Sequence, residues 1–312
     1  MIQDKFISIV VPCFNEEKNI EQLYNGLVTV LKNISSRYEI IFADDGSRDH
    51  TFEVIKKLSG TDGTVSGISL SRNFGHQIAI MAGLQHSKGD IVIMMDADMQ
   101  HPPEVIPELI AEYEKGFDIV NTKRLDTQGV GVMKKISSTF FYRLLNFLSD
   151  VKIEPSSADF RLMTRKSVDA FLQLEEKDRF TRGLISWMGF KQSVVEYTAS
   201  TRFAGNSKYT IRKMLRFGMD GITSFSTKPL RISFYTGVII FIIGLAYSVY
   251  AIIENILGGT VPGWTSILVS VLIIGGIQLV SLGIIGEYIA RIFNEAKARP
   301  LYFIKEKTKE RD

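Results

Sequence analysis

The sequence predicts an α/β cytoplasmic domain on a mostly parallel sheet, followed by an interfacial amphipathic helix and a two-helix transmembrane hairpin. Three observations predict it. Short apolar runs alternate with amphipathic stretches over the first two hundred residues. Acidic turns follow three of those runs. Two later stretches, Ile232 to Ile253 and Trp264 to Gly286, run 22 and 23 residues without a charge.

Ile7 to Val11 is a continuous apolar run, as expected of a strand covered on both faces. Glu17 to Ile34 reads as an amphipathic helix, with Ile20, Leu23, Leu27, Val30, Leu31 and Ile34 on one face. Tyr38 to Ala43 is the next strand and Thr51 to Leu58 the next helix. Gly67 to Leu70, Ile91 to Met95 and Ile119 to Thr122 continue the strand series. Such alternation implies parallel strands covered by helices, with ligands bound beyond the carboxyl ends of the strands.

Polar groups gather at those ends. Pro12-Cys-Phe-Asn-Glu-Glu17 follows the first strand, and Asp44-Asp-Gly-Ser-Arg-Asp49 the second. Asp96-Ala-Asp-Met-Gln-His-Pro-Pro-Glu104 follows Ile91-Val-Ile-Met-Met95. A single acidic turn is often a helix cap, and Asp49 fits that role. Three on one edge point to a site. Asp96 and Asp98, two residues apart at a strand end, project the same way. Adjacent carboxylates repel unless a cation lies between them. Their hard oxygens suit Mg²⁺ or Mn²⁺, held together with substrate phosphates.

At about 1.5 Å per residue the first uncharged stretch spans roughly 33 Å, against a hydrocarbon core of about 30 Å. The loop between the stretches, Glu254 to Gly263, has no Lys or Arg. Lys228, Arg231, Arg291, Lys297 and Arg299 flank the outer ends, so both ends belong in the cytoplasm. Between Ser207 and Phe225, Ile211, Met214, Leu215, Met219, Ile222 and Phe225 form a helical stripe among Lys208, Arg212, Lys213 and Arg216. A basic amphipathic helix beside a span belongs in the membrane interface. The domain plan is therefore 1–206, 207–231, 232–290 and a basic tail 291–312, whose Lys305, Lys307, Lys309 and Arg311 read as solvated or lipid-facing.

Composition narrows the class. The net charge of +3 over 312 residues is too small to argue for nucleic acid. One cysteine, Cys13, excludes an internal disulfide and has no His or Asn arrangement of a thiol enzyme around it. The start, Met1-Ile-Gln-Asp-Lys5, lacks the basic head and long apolar core of a signal peptide.

From Ile7 to about Tyr209 the chain resembles family 2 glycosyltransferases of the GT-A fold. The resemblance rests on Val11-Pro-Cys-Phe-Asn-Glu-Glu17, Asp44-Asp-Gly-Ser-Arg-Asp49, Asp96-Ala-Asp-Met-Gln-His-Pro-Pro-Glu104 and Ala158-Asp-Phe-Arg161, in that order. Ser71-Arg-Asn-Phe-Gly-His-Gln77, Arg202-Phe-Ala-Gly-Asn-Ser-Lys-Tyr209 and the two spans are most similar to the bactoprenol glucosyltransferases of its polyprenyl-phosphate branch, which also holds dolichyl-phosphate mannose synthases. Met99 stands where Leu is common.

The resemblance implies the roles. Pro12, Phe14 and Glu16 line the nucleotide pocket, and Asp45 with Asp44 binds the base or ribose. Asp96 and Asp98 hold Mg²⁺ or Mn²⁺ and the donor diphosphate, with Gln100 near. Arg124 and Lys135 meet phosphate oxygens, Asp159 is the catalytic carboxylate, and Arg202 and Lys208 grip the lipid phosphate. The implied partners are a nucleotide-sugar such as UDP-glucose, polyprenyl phosphate, membrane lipid and further copies of the chain, with a tetramer as the candidate assembly. The implied reaction is inverting transfer to undecaprenyl phosphate for later extracytoplasmic glycan modification.

Plainer readings stand beside these. Pro12 and Asn15 are common turn formers, Arg124 suits a solvated surface, and Lys134 competes with Lys135. Asp159 could only anchor Arg161 in a structural pair. Arg202 and Lys208 could attract anionic lipid alone, and His76 and His101 read as hydrogen-bonded structural residues. UDP-galactose, UDP-N-acetylglucosamine, a UDP-aminoarabinose and GDP-mannose remain alternative donors. A processive polysaccharide synthase would carry Gln-x-x-Arg-Trp, but neither Trp187 nor Trp264 follows an Arg. A non-catalytic adaptor is at odds with an intact Asp96, Asp98 and Asp159 set. The uncharged spans offer no transport path.

Overall fold

The computed structural model describes residues 2–125, 157–177, 179–198, 226–257 and 263–309. The core is a sheet of eight strands flanked by helices. β1 (Ile7–Cys13) lies at its centre and is buried along its whole length. β2 (Tyr38–Asp44) and β4 (Ile91–Met94) pair with β1 in parallel, and β3 (Val65–Leu70) pairs with β2 in parallel. β5 (Ile119–Leu125) runs parallel to β7 (Gln192–Thr198), and β6 (Ser157–Thr164) is antiparallel to both β4 and β5. The sheet is thus mixed and mostly parallel. Its parallel strands end together, which is why the acidic turns meet.

α1 (Ile20–Leu31) buries Ile20, Leu23, Leu27 and Leu31 of the expected stripe, while Val30 is half-buried and Ile34 lies half-buried beyond the helix. It starts later than Glu17, because the chain from Glu16 to Asn19 first makes a turn, with the Asn19 amide donating to the Glu16 carbonyl. α2 (Thr51–Thr61) buries Phe52, Ile55 and Leu58. α3 (His76–His86) buries every residue from Ala79 to Leu84 and packs on β1 and β2. Gly83 allows that contact, since a Cβ there would collide with the Val10 side chain. α4 (Ile106–Glu114) buries Ile106, Leu109 and Ile110, and α5 (Arg165–Leu172) follows β6 directly. α6 (Thr181–Trp187) precedes β7.

α7 (Lys228–Ile256) and α8 (Trp264–Ala296) enclose both predicted spans. They are long and apolar enough to cross a membrane over Lys228–Tyr247 and Ile273–Ala296. Phe241, Ile243 and Leu279 are among many large apolar side chains that they leave exposed, a surface that water does not favour but lipid does.

The chain then departs from the predicted plan. Beyond α8 it returns to the sheet as β8 (Ile304–Lys307), antiparallel on the outer edge of β3. The segment predicted as a separate tail is therefore partly a sheet strand, although Lys305, Lys307 and Lys309 stay exposed as expected. The physical reason is the unpaired edge of β3, whose backbone groups need partners. Thr308 extends the pairing: its amide donates to the Gly67 carbonyl at 3.0 Å, and its Oγ1 accepts from the Gly67 amide at 2.9 Å.

Candidate active site

The first two acidic turns are stitched together. Asn15 takes a left-handed φ of 57°. Its amide donates to Ser47 Oγ, and its Oδ1 accepts from the Arg48 amide, each at 2.9 Å. The Glu16 amide donates to Thr51 Oγ1 at 2.8 Å. Gly46, at φ 66°, lets this turn approach the backbone of Arg72; a Cβ there would lie 2.5 Å from the Arg72 carbonyl carbon.

A cleft of about 270 Å³ opens at this edge. Pro12, Phe14, Glu16, Asp45, Asp96 and Asp98 line it, with Asn73 and His76 on the loop and helix opposite. Six sequence-predicted site residues therefore share one cavity. Gln100, Arg124 and Asp159 lie beyond that lining, and so does Asp44. It is 1% exposed and accepts hydrogen bonds from Ser69 Oγ at 2.8 Å and the Ser47 amide at 3.0 Å. It braces the turn from inside. Asp45 accepts from the Phe74 and Gly75 amides at 2.7 and 2.9 Å, fixing the loop that enters α3. Burial raises its pKa despite those two bonds.

The Asp96–Asp98 turn is held at both ends. The Asp96 amide donates to His101 Nδ1 at 2.9 Å, and His101 stacks on Phe160 with ring centroids 5.2 Å apart. His101 thus keeps the structural role predicted for it. Met99 adopts φ 63° and turns the chain back. Gln100 Nε2 then donates to Asp98 Oδ2 at 2.9 Å, and Arg124 Nη1 donates to Gln100 Oε1 at 2.8 Å. Asp98, Gln100 and Arg124 form one chain of contacts.

His76 is hydrogen-bonded, as expected, and reaches two carboxylates. Its Nε2 lies 2.8 Å from Asp96 Oδ1, and its Nδ1 lies 4.0 Å from Asp159 Oδ2. Burial opposes its charge, but the hydrogen bond to Asp96 and the charges of Asp96 and Asp159 outweigh burial and push its pKa up to about 9. Asp159 also contacts Arg161 Nη2 at 3.3 Å, Arg182 Nε at 3.2 Å, Arg182 Nη2 at 3.3 Å and Gln77 Nε2 at 3.3 Å. Burial alone would raise the Asp159 carboxyl, but the Arg182 and Arg161 guanidiniums hold it far below the usual carboxylate range. Arg161 does pair with Asp159, as the structural alternative expects, and Asp159 approaches the cleft through His76.

Gln77 closes the Ser71–Gln77 motif but received no role there, and Arg182 had no signal in the sequence. Arg182 stands on another helix, far along the chain from Asp159. Lys135, Arg202 and Lys208 lie outside the described residues, as do Lys134 and the predicted interfacial helix between 207 and 225.

Among the described residues, no cluster of three or more His, Cys, Asp or Glu is arranged to hold a metal ion. Asp96 and Asp98 still fit one. Two carboxylates on a cleft are the protein share that Mg²⁺ takes when substrate phosphates complete its shell.

Residues 8–172 match glycosyl transferase family 2, and residues 228–292 match the GtrB C-terminal hairpin. The chain is 44% identical to the uncharacterized glycosyltransferase YkcC of Bacillus subtilis, over 95% of this chain and 92% of that one. It is 42% identical to the prophage bactoprenol glucosyl transferase homolog of Escherichia coli K12, over 96% and 98%. It is 43% identical to the bactoprenol glucosyl transferase of Shigella phage SfX, again over 96% and 98%. Together with a mostly parallel sheet whose acidic turns converge on one cleft, these matches make the chain a member of glycosyl transferase family 2, with the GT-A fold and the GtrB-type hairpin.

Proposed function

We propose that this chain transfers glucose from UDP-glucose to undecaprenyl phosphate, with inversion at the sugar carbon. The observation that carries the reading is the pairing of two things in one chain. A cleft lined by Asp45, Asp96 and Asp98 sits at the strand ends, and the polypeptide that leaves this domain forms α7 and α8 before returning to the sheet as β8. The bactoprenol glucosyl transferases that share 43% of its residues favour the lipid acceptor and the glucose donor.

In this reading Phe14, Glu16 and Asp45 receive the nucleotide. Asp96 and Asp98 hold Mg²⁺ or Mn²⁺, which supplies electrostatic stabilisation of the departing diphosphate. Arg124, set by Gln100, meets phosphate oxygens. The nucleophile is an oxygen of the lipid phosphate, a monoester whose second pKa is near about 6, so it reaches the site mostly dianionic. It bonds to C1 of glucose as the C1–oxygen bond to UDP breaks, and UDP leaves with that electron pair. No proton need be removed, which fits an Asp159 that is clamped and ionised. α7 and α8 hold the domain at the membrane surface, where the prenyl chain stays in the bilayer. Both chain ends then face the cytoplasm, and the working form is a homo-oligomer.

The test is product formation. Full-length protein in detergent receives undecaprenyl phosphate, Mg²⁺ or Mn²⁺ and a panel of nucleotide-sugars, with glycolipid read by mass spectrometry. UDP-glucose should give product that is lost with EDTA and in Asp98→Asn. Product from a different donor would replace glucose; nucleotide binding without any lipid product would remove the acceptor.

A further inference from the structure

A second concave site lies at the opposite edge of the sheet from the cleft. Glu39 and Lys88 stand near the starts of β2 and β4, whereas Asp45 and Asp96 follow their ends. The seven residues of β2, about 20 Å of extended chain, separate the two places. The cavity measures about 170 Å³, and Lys88, Lys307 and Lys309 all line it. They come from the loop between α3 and β4, from β8, and from the residues just after β8.

Glu39 is the one carboxylate among the lining residues. Its Oε1 accepts from Ser8 Oγ at 2.6 Å and from the Lys88 amide at 2.7 Å, which commits it to the framework. Lys309 is committed too. Its Nζ donates to the Gly63 and Val65 carbonyls, both at 2.7 Å, and so holds the chain against the start of β3. Lys88 and Lys307 have no such task. Among the described residues, neither ammonium has a hydrogen bond or an ion pair. Ser66 Oγ, on the same lining, also has no partner among the described residues.

Three ammoniums around one carboxylate repel one another unless an anion lies between them. Phosphate suits the set. It brings up to two negative charges and several acceptor oxygens, which ammonium and hydroxyl donors can share. We infer that this cavity binds a phosphate dianion between Lys88 and Lys307, either free or as the head of a phosphomonoester. The bound anion ties β8 to the loop that leads into β4. The site stands apart from the cleft, and its occupation does not depend on which sugar the cleft receives.

Isothermal titration calorimetry on full-length protein in detergent tests this, at fixed ionic strength and with UDP and Mg²⁺ present to occupy the cleft. One probe is inorganic phosphate. The other is dihexanoyl phosphatidic acid, a short lipid whose head is a phosphomonoester. Wild-type protein should bind at least one of them. Lys88→Gln combined with Lys307→Gln should weaken that binding by about tenfold or more, the loss expected when charged donors are removed. Lys56→Gln is the control. Lys56 pairs at 2.6 Å with Glu306, which points to the other face of the sheet from Lys307, so the affinity should not change. The bound probe should also raise Tm more in wild type than in the double variant. Tighter binding of inorganic phosphate assigns the site to a soluble ligand, and tighter binding of phosphatidic acid to a lipid head. If the double variant does not fold, the two single variants decide by the same contrast. Wild-type protein that binds neither probe overturns the inference. So does an unchanged affinity in the double variant, or an equal loss in Lys56→Gln.

Discussion

His76 Nε2 lies 2.8 Å from Asp96 Oδ1, so an imidazole occupies one oxygen of a carboxylate proposed to hold the metal ion. Asp96 is lowered in pKa against burial, by its neighbours His101 and His76. A charged imidazole repels a dication at the same oxygen. Replacing it should therefore strengthen metal binding in the absence of donor. His76→Ala is expected to bind Mn²⁺ several-fold more tightly than wild type, read as free Mn²⁺ by electron paramagnetic resonance. Weaker binding in the variant would make His76 a metal ligand instead.

Asp159 leads to a prediction about pH. A carboxyl held far below its ordinary value contributes stability above its unfolded pKa of about 3.9, and that stability is lost as the pH falls through the lower folded value. At neutral pH it is fully ionised and a poor proton acceptor. The acid limb of the rate profile should then follow the second ionisation of the acceptor phosphate, near about pH 6. Asp159→Asn should lower kcat/KM but keep that limb between about pH 5 and about pH 8. Disappearance of the limb in the variant would identify Asp159 as a general base.

Asp44 and Asp45 are neighbours with different work. Asp44 is enclosed by Ser69 and Ser47, so Asp44→Ala leaves their donors without an acceptor. The expected cost is about 1–3 kcal/mol of folding stability. Asp45→Ala should mainly weaken UDP-glucose binding, because Asp45 lines the cleft. Thermal unfolding and nucleotide titration of the two variants give opposite patterns. A larger loss of nucleotide affinity in Asp44→Ala would reverse the assignment.

The contrast between Asp44 and Asp45 shows how far the sequence reaches. The apolar run from Ile7 to Val11 announced a strand buried on both faces, and Asp96 with Asp98 announced an acidic turn on the cleft, because each signal is local. The long uncharged stretches behind α7 and α8 were legible for the same reason. Which of two adjacent carboxylates faces inward depends on Ser69, a residue of another strand. α3 gave no stripe to read, since Ala79 to Leu84 are buried all round. Arg182 meets Asp159 only after α5 and α6 have packed, and no periodicity encodes that meeting. β8 is four residues long and is fixed by the open edge of β3, not by a pattern of its own.

That edge supplies the last prediction. β8 joins the chain after α7 and α8 to the strand that carries Ser69 and leads into the loop fixed by Asp45. Thr308 is the clasp: its Oγ1 accepts from the Gly67 amide at 2.9 Å and from Ser59 Oγ at 2.9 Å. Thr308→Val keeps the shape but removes the acceptor, leaving the Gly67 amide unsatisfied at a cost of about 1–3 kcal/mol. For a domain of about 150–250 residues each kcal/mol lowers Tm by about 2–4 °C. Ending the chain after Phe303 should do more, because the whole outer edge of β3 loses its partner and becomes a template for association. The truncated protein is expected to unfold earlier and to aggregate in detergent, as followed by thermal unfolding and size-exclusion chromatography. An unchanged Tm in both variants would mean that β8 rests on the sheet without supporting it.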